Sequence, residues 1–140
     1  MEDILNGAVH ESIDWWAVLV AGLAGFAVGG LWFSKLLFAR PWMKEMGFSE
    51  ADAKQGDAGR LLGGAALLTV LCAYPLARLA WRGGGWEGGL KVGLLVGSAV
   101  AFAMGVDYLF ERRSLRLWLI TGGHQLVTFT VMGTIIGAWR

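Results

Sequence analysis

The sequence has few charged residues and almost no excess of either sign. Only 16% of its 140 residues are Asp, Glu, Lys or Arg, and the formal net charge is +1. Soluble domains carry about 25% charged residues, so the deficit indicates lipid rather than water as the surrounding medium. The chain also lacks a basic run interleaved with aromatic residues, which argues against a nucleic-acid partner.

Cysteine and the residue patterns of catalysis are equally scarce. The single cysteine, Cys72, excludes a disulfide within the chain, and we expect it to be a small core residue. Together with His10 and His124 it does not have the spacing of a zinc site. The sequence contains neither a phosphate-binding loop nor a serine in a nucleophile elbow. We therefore predict no catalytic residue, no metal and no cofactor, and an enzyme is the least favoured class of function.

Four long apolar stretches occupy most of the chain. They cover residues 15–39, 61–81, 88–110 and 115–139, each edged by charge or tryptophan. A helix rises about 1.5 Å per residue, so about 20 apolar residues cross a hydrocarbon layer about 30 Å thick. Each stretch meets that length. The sequence predicts an all-α integral membrane protein, in which one domain forms a bundle of four transmembrane helices surrounded by the lipid bilayer.

The basic residues are distributed unevenly between the two sides of the predicted bundle. Counted together with the helix ends that adjoin them, the loops after the first and third stretches carry eight Lys and Arg residues, whereas the other side carries four. Because basic loops stay in the cytoplasm, we predict a protein of the cell (inner) membrane with both termini outside. The loop 40–60 is expected to be a solvated cytoplasmic connector with short helices, and a docking surface for a partner is the alternative.

Small residues recur at every fourth position of the predicted helices, a spacing that lets helix backbones approach closely. They pack either within one bundle or between copies. The fourth helix has two different faces that are not typical of lipid contact, which hints at a homo-oligomer. The glycines predicted to mediate helix packing are Gly25, Gly29, Gly93, Gly97, Gly133 and Gly137.

Polar residues in the last two stretches form the candidate site. His124 lies about 12 Å inside the predicted cytoplasmic edge, where polar groups need partners and are functional candidates. Asp107 and Glu111 could supply a partner across the short hairpin. The alternative is that both carboxylates pair with nearby arginines while His124 bonds a backbone carbonyl. The predicted intramembrane polar site comprises His124, Gln125, Thr121, Thr128, Asp107 and Glu111.

Several segments resemble those of a known family. They are residues 29–38 (GGLWFSKLLF) with Trp42 and Gly47, residues 108–113 (YLFERR), and residues 121–124 (TGGH) followed by Met132 and Gly133. The sequence is similar over nearly its whole length to the family of domain of unknown function 1761. That resemblance implies a small, mostly bacterial, four-helix membrane protein and carries over no established activity.

Two classes of function stay open. In the first, a transport or channel-like protein, His124, Gln125, Asp107 and Glu111 line a polar path. In the second, a non-catalytic interaction or scaffold subunit, the glycine rows and the loop 40–60 bind a membrane or cytoplasmic protein partner. A water-accessible cavity that reaches His124 would favour transport, whereas a dry interior would favour a scaffold.

Overall fold

A computed structural model describes residues 13–49, 51, 56–80 and 84–139, and all regular structure in these residues is helical. Four of the helices are long and apolar enough to cross a membrane, which confirms the predicted all-α class. The second helix has only eight residues. The helices are α1 (Trp15–Trp32), α2 (Ala39–Met46), α3 (Ala58–Ala80), α4 (Gly85–Phe110) and α5 (Leu115–Ala138).

The first helix ends earlier than predicted. It stops at Trp32 instead of residue 39 because the chain reverses over residues 33–38, where the N–H of Phe38 donates to the Trp32 carbonyl at 3.0 Å. The Ser34 hydroxyl donates to the carbonyl of Leu31 at 2.6 Å and closes the last turn. The ends predicted for the other three stretches agree with α3, α4 and α5 to within three residues, apart from residue 81, which lies outside the described residues.

α5 is the central helix of the bundle. It contacts α1, α3 and α4, and more weakly α2, and its contact with α4 is the most extensive between any two helices. We call the end of the bundle where α1 and α4 end and α5 begins the hairpin end. The buried apolar core brings together α1, α3 and α5, and its members are Val18, Ala21, Ala73, Leu76, Ala77, Ala80, Phe129, Met132 and Ile136.

Glycines bring the backbones of α4 and α5 into direct contact. A Cβ atom at Gly93 would overlap the carbonyl oxygen of Phe129, and one at Gly133 would overlap that of Gly89. The contact therefore depends on the missing side chains, as expected for small residues between membrane helices. It also means that α4 of the same chain covers this face of α5. Close approaches of the same kind occur at Gly89, Gly97 and Gly137.

Only the C-terminal half of α3 packs against the rest of the bundle. Ala73 and Leu76 are buried, whereas Leu61 and Leu68 in the first half are 72% and 64% exposed. Cys72 is also exposed, which corrects the expectation of a core residue. Successive helical residues point about 100° apart, so Ala73 can face the core while its neighbour faces outward. In a membrane helix that outward side contacts lipid.

Substitution of Gly133 by alanine is expected to weaken the fold. The added methyl would overlap the Gly89 carbonyl, and overpacking of this kind costs about 1–3 kcal/mol. The matched control is Gly64→Ala on α3, where a Cβ meets no atom within 4 Å. There the greater helix propensity of alanine should leave stability unchanged or slightly raised. The free energy of unfolding in detergent is the measurement, and an equal effect of both substitutions would contradict the proposed packing.

Candidate functional site

His124 lies on α5 and faces the last turn of α1. Its Nε2 atom is buried and makes no hydrogen bond to any residue in the described part of the chain. A Cβ on Gly29 would lie 3.1 Å from this atom, and the ring centroid of Phe33 lies 4.9 Å from that of the imidazole. Gly29 therefore gives the α1 backbone its close approach to the imidazole, which a larger side chain would block.

The indole of Trp32 fixes the position of α1 beside this histidine. Its Nε1 donates a 2.9 Å hydrogen bond to the carbonyl of Ile120, one helical turn before His124 on α5. The Trp32 ring centroid lies 6.2 Å from the imidazole, so the same side chain both joins the helices and forms a wall of the site. Trp118 makes an equivalent bond from α5 to the Ala101 carbonyl of α4 at 2.8 Å.

Aromatic rings close the site toward the hairpin end. Trp32 packs on Phe38 with ring centroids 4.7 Å apart, and Phe33 packs on Trp42 of α2 at 5.4 Å. Trp42 in turn contacts Phe48 at 5.9 Å, edge to face. The reversal at residues 33–38 brings these rings together, because it places Trp42 of α2 against Phe33, the residue that follows α1.

Thr128 lies one turn further along α5, on nearly the same side as His124. Its hydroxyl is buried and, like Nε2 of His124, has no hydrogen-bond partner among the residues that the structure describes. The Thr121 hydroxyl differs, because it donates to the Leu117 carbonyl at 2.9 Å. A buried polar group without a partner costs about 1–3 kcal/mol, so two within one turn are unusual. Gln125 lies beside them and is half-buried.

Asp107 and Glu111 are not brought to this site. Both carboxylates are exposed at the end of α4, and Glu111 pairs with Arg113. They lie away from His124 because α4 packs on the opposite side of α5. Gly133 contacts α4 and lies nine residues from His124, which is about 180° around a helix. The four predicted residues of α5 therefore share one region, whereas the two predicted carboxylates lie across the helix from His124.

Sequence reasoning missed the α1 wall of the site, which consists of Gly29, Trp32 and Phe33. Gly29 was predicted as a packing residue only, and Trp32 lies inside the predicted stretch 15–39 instead of at its edge. That position was the available signal, since an indole N–H inside a membrane needs an acceptor. Gly25 also packs on α5, where its Cβ would lie 2.9 Å from the sulfur of Met132.

No group of three His, Cys, Asp or Glu side chains that could hold a metal ion occurs within residues 13–49, 51, 56–80 and 84–139. Gly29, Trp32 and Phe33, which contact the imidazole of His124, are small or aromatic and carry no ionisable group. The polar groups of the site are the imidazole of His124, the hydroxyl of Thr128 and the half-buried amide of Gln125, all of which can donate and accept hydrogen bonds.

The fold and this site define a helical membrane protein with four spans and a polar group buried beside its central helix. Residues 16–137 match the model of the family described as protein of unknown function DUF1761, and the chain belongs to that family. No curated protein and no solved structure matches it.

Substitution of Trp32 by phenylalanine is expected to loosen the contact between α1 and α5. It keeps an aromatic ring but removes the bond to the Ile120 carbonyl, and such interhelical bonds contribute about 0.6 kcal/mol on average, with a maximum of about 1.7. The control is Trp16→Phe, because Trp16 is 70% exposed. The measurement is the free energy of unfolding of each variant in detergent. An equal loss of stability in both variants would contradict a contribution from the Trp32 hydrogen bond.

Proposed function

We propose that this chain is a small transport or channel-like membrane protein whose solute-binding groups are His124 and Thr128. The observation that supports this function is the pair of buried polar atoms, Nε2 and Oγ1, without hydrogen-bond partners in the described residues. Polar side chains retained inside membrane segments commonly mark pathways for solutes, ions or protons. The proposed site comprises His124, Thr128 and Gln125 of α5 with the α1 wall, and it no longer includes Asp107 and Glu111.

The chemistry of the site fits a proton or a small uncharged solute that forms hydrogen bonds. A neutral imidazole offers one donor and one acceptor, and a hydroxyl offers both. Gly29, Trp32 and Phe33 face the imidazole and carry no charge that could balance a bound ion. Transfer of an isolated ion into such surroundings is costly, which favours an uncharged guest or a proton carried by His124 itself.

The alternative function, a scaffold subunit, has less surface available than the sequence suggested. Its glycine rows on α4 and α5 pack against each other within one chain. Surfaces that remain among the described residues include α2, which contacts α5, and the start of α3, where a Cβ on Gly63 or Gly64 would meet no atom within 4 Å. This internal use of the glycines weighs against a scaffold, whereas the burial of Nε2 of His124, which neither cavity between α4 and α5 reaches, weighs against an open water-filled path.

We also propose the bacterial cell membrane as the location, with both termini outside. The hairpin end carries the basic residues that favour the cytoplasmic side, among them Arg40, Lys44 and Arg113.

Self-association is a separate proposal. Since α4 covers Gly133 and Gly137, and a Cβ on Gly93 would lie only 2.8 Å from Cα of Thr130, a second copy would have to bind elsewhere on the outer surface of the bundle.

Proton flux into proteoliposomes tests the transport function. With a trapped pH-sensitive dye and a potassium diffusion potential as the driving force, the wild-type chain should exceed protein-free vesicles. His124→Leu should lower the flux at least about tenfold, since loss of a hydrogen-bonding group worth about 1.4 kcal/mol has that effect. Gly29→Ala should also lower it, because the added methyl lies 3.1 Å from Nε2.

The matched control for this experiment is Asp107→Asn. It removes an ionisable group on the exposed side of α4, and flux should stay at the wild-type level. Circular dichroism and a monodisperse elution profile show that each variant is folded. Wild-type flux in His124→Leu, or a wild-type signal no greater than that of empty vesicles, would rule out the proton pathway.

Cysteine labelling in intact bacterial cells tests the orientation. In a Cys72→Ser background, Trp139→Cys should react with a membrane-impermeant maleimide, whereas Ser49→Cys should react only after the cells are opened. Both positions are exposed, Trp139 by 43%, so a buried thiol does not explain a missing label. The reverse labelling pattern would show that the termini are inside.

A further inference from the structure

A groove runs along the outer surface between α4 and α5, on a different side of α5 from His124. Its part nearest the hairpin end has a volume of about 330 Å³ and its deeper part about 220 Å³. Phe102 and Trp118 line both parts, so the two parts are continuous along the contact of the two helices. We call this feature the α4–α5 groove.

The groove stays unfilled because glycines, which have no side chain, line part of it. A Cβ on Gly105 would lie 2.9 Å from Nε1 of Trp118, and one on Gly122 would lie 3.4 Å from the same atom. The floor is therefore the indole and two glycine backbones. Exposed apolar side chains form the walls, with Phe102, Val106, Leu109, Leu115 and Leu119 from 54% to 79% exposed.

The groove has the length of one lipid leaflet. It extends from Ser114 to Leu126 along α5. Twelve residues of helix correspond to about 18 Å. Half of a hydrocarbon core is about 15 Å thick. An acyl chain that starts at the hairpin end could therefore lie in the groove over most of its length.

The polar end of the groove carries a cation. Arg113 lines it together with Tyr108 and Ser114. The guanidinium carbon lies 5.3 Å from the centroid of the Tyr108 ring, Nε bonds Glu111, and Nη1 lies 3.3 Å from the sulfur of Met46. A guanidinium has five N–H donors, so these contacts leave donors for an anionic oxygen.

The charges around this end are positive overall. Segments 39–46 and 107–116 contain five basic and three acidic residues. Two of the three acids already have partners, because Glu111 pairs with Arg113 and Glu45 accepts a hydrogen bond from the Ser114 hydroxyl. Arg112 and Arg116 are exposed beside the groove. A negatively charged headgroup would meet a net positive surface here.

We propose that the α4–α5 groove binds one anionic glycerophospholipid, with its phosphate at Arg113 and one acyl chain along Trp118 and Phe102. An apolar groove with a basic end at the membrane surface is the arrangement that holds acidic lipid headgroups. The site is separate from His124, so it stands independently of the transport function. The hairpin end is also the side proposed to face the cytoplasm.

Native mass spectrometry of the full chain, delipidated in mild detergent, tests the site. With equal amounts of phosphatidylglycerol and phosphatidylcholine of the same acyl chains, the wild type should retain phosphatidylglycerol at least about fivefold better. Arg113→Gln should abolish this preference. Lys91→Gln removes an exposed cation elsewhere on α4, away from the groove, and should keep it.

Equal retention of both lipids by the wild type would overturn the proposal, and so would a full preference in Arg113→Gln. If that variant does not fold, salt decides the question with the wild-type chain. A preference that falls toward equality at high ionic strength supports headgroup binding by charge, because salt screens exposed ion pairs. A preference independent of salt overturns it.

Discussion

The close backbone contact between α4 and α5 is the constraint on which the rest of the structure depends. Glycines at Gly89, Gly93 and Gly133 let the two helices approach until their backbones touch. That contact occupies one side of α5 and leaves the opposite side to α1 and α3. His124 therefore faces α1, while the carboxylates of α4 remain on the outside. The position of the polar site follows from where the glycines lie.

The sequence predicted the spans well because a span is recognised by its length and hydropathy. Neither property depends on which helices pack beside it. The sequence could not predict which side of each helix a given neighbouring helix covers. In water a polar face marks the outside of a helix, but in lipid both sides are apolar, so Cys72 and Ala73 look alike although one faces outward and the other inward. The same ambiguity left a partnership of Asp107 with His124 open as one of two alternatives. The early end of α1 at Trp32 was missed because residues 33–38 are apolar enough to continue a span.

Two tryptophans inside the spans make the same kind of interhelical hydrogen bond. Trp32 and Trp118 each donate an indole N–H to a backbone carbonyl of a neighbouring helix, which joins α1 to α5 and α5 to α4. Where no water competes, such a bond fixes both the rotation and the height of one helix against another. Trp32 thereby holds the wall of the His124 site, and Trp118 forms the floor of the α4–α5 groove. The two candidate binding regions are thus built on the same kind of interhelical bond.

The exposed first half of α3 has a consequence for how the sequence can change over evolution. Leu61, Leu62, Leu67 and Leu68 are between 55% and 72% exposed. Selection at these positions acts on hydrophobicity and not on side-chain shape, so one aliphatic residue can replace another. On α5, shape is the criterion, because Met132 is fully buried and a Cβ on Gly133 would overlap the carbonyl of Gly89. Relatives of this chain should therefore drift fastest along the start of α3 and slowest along α5.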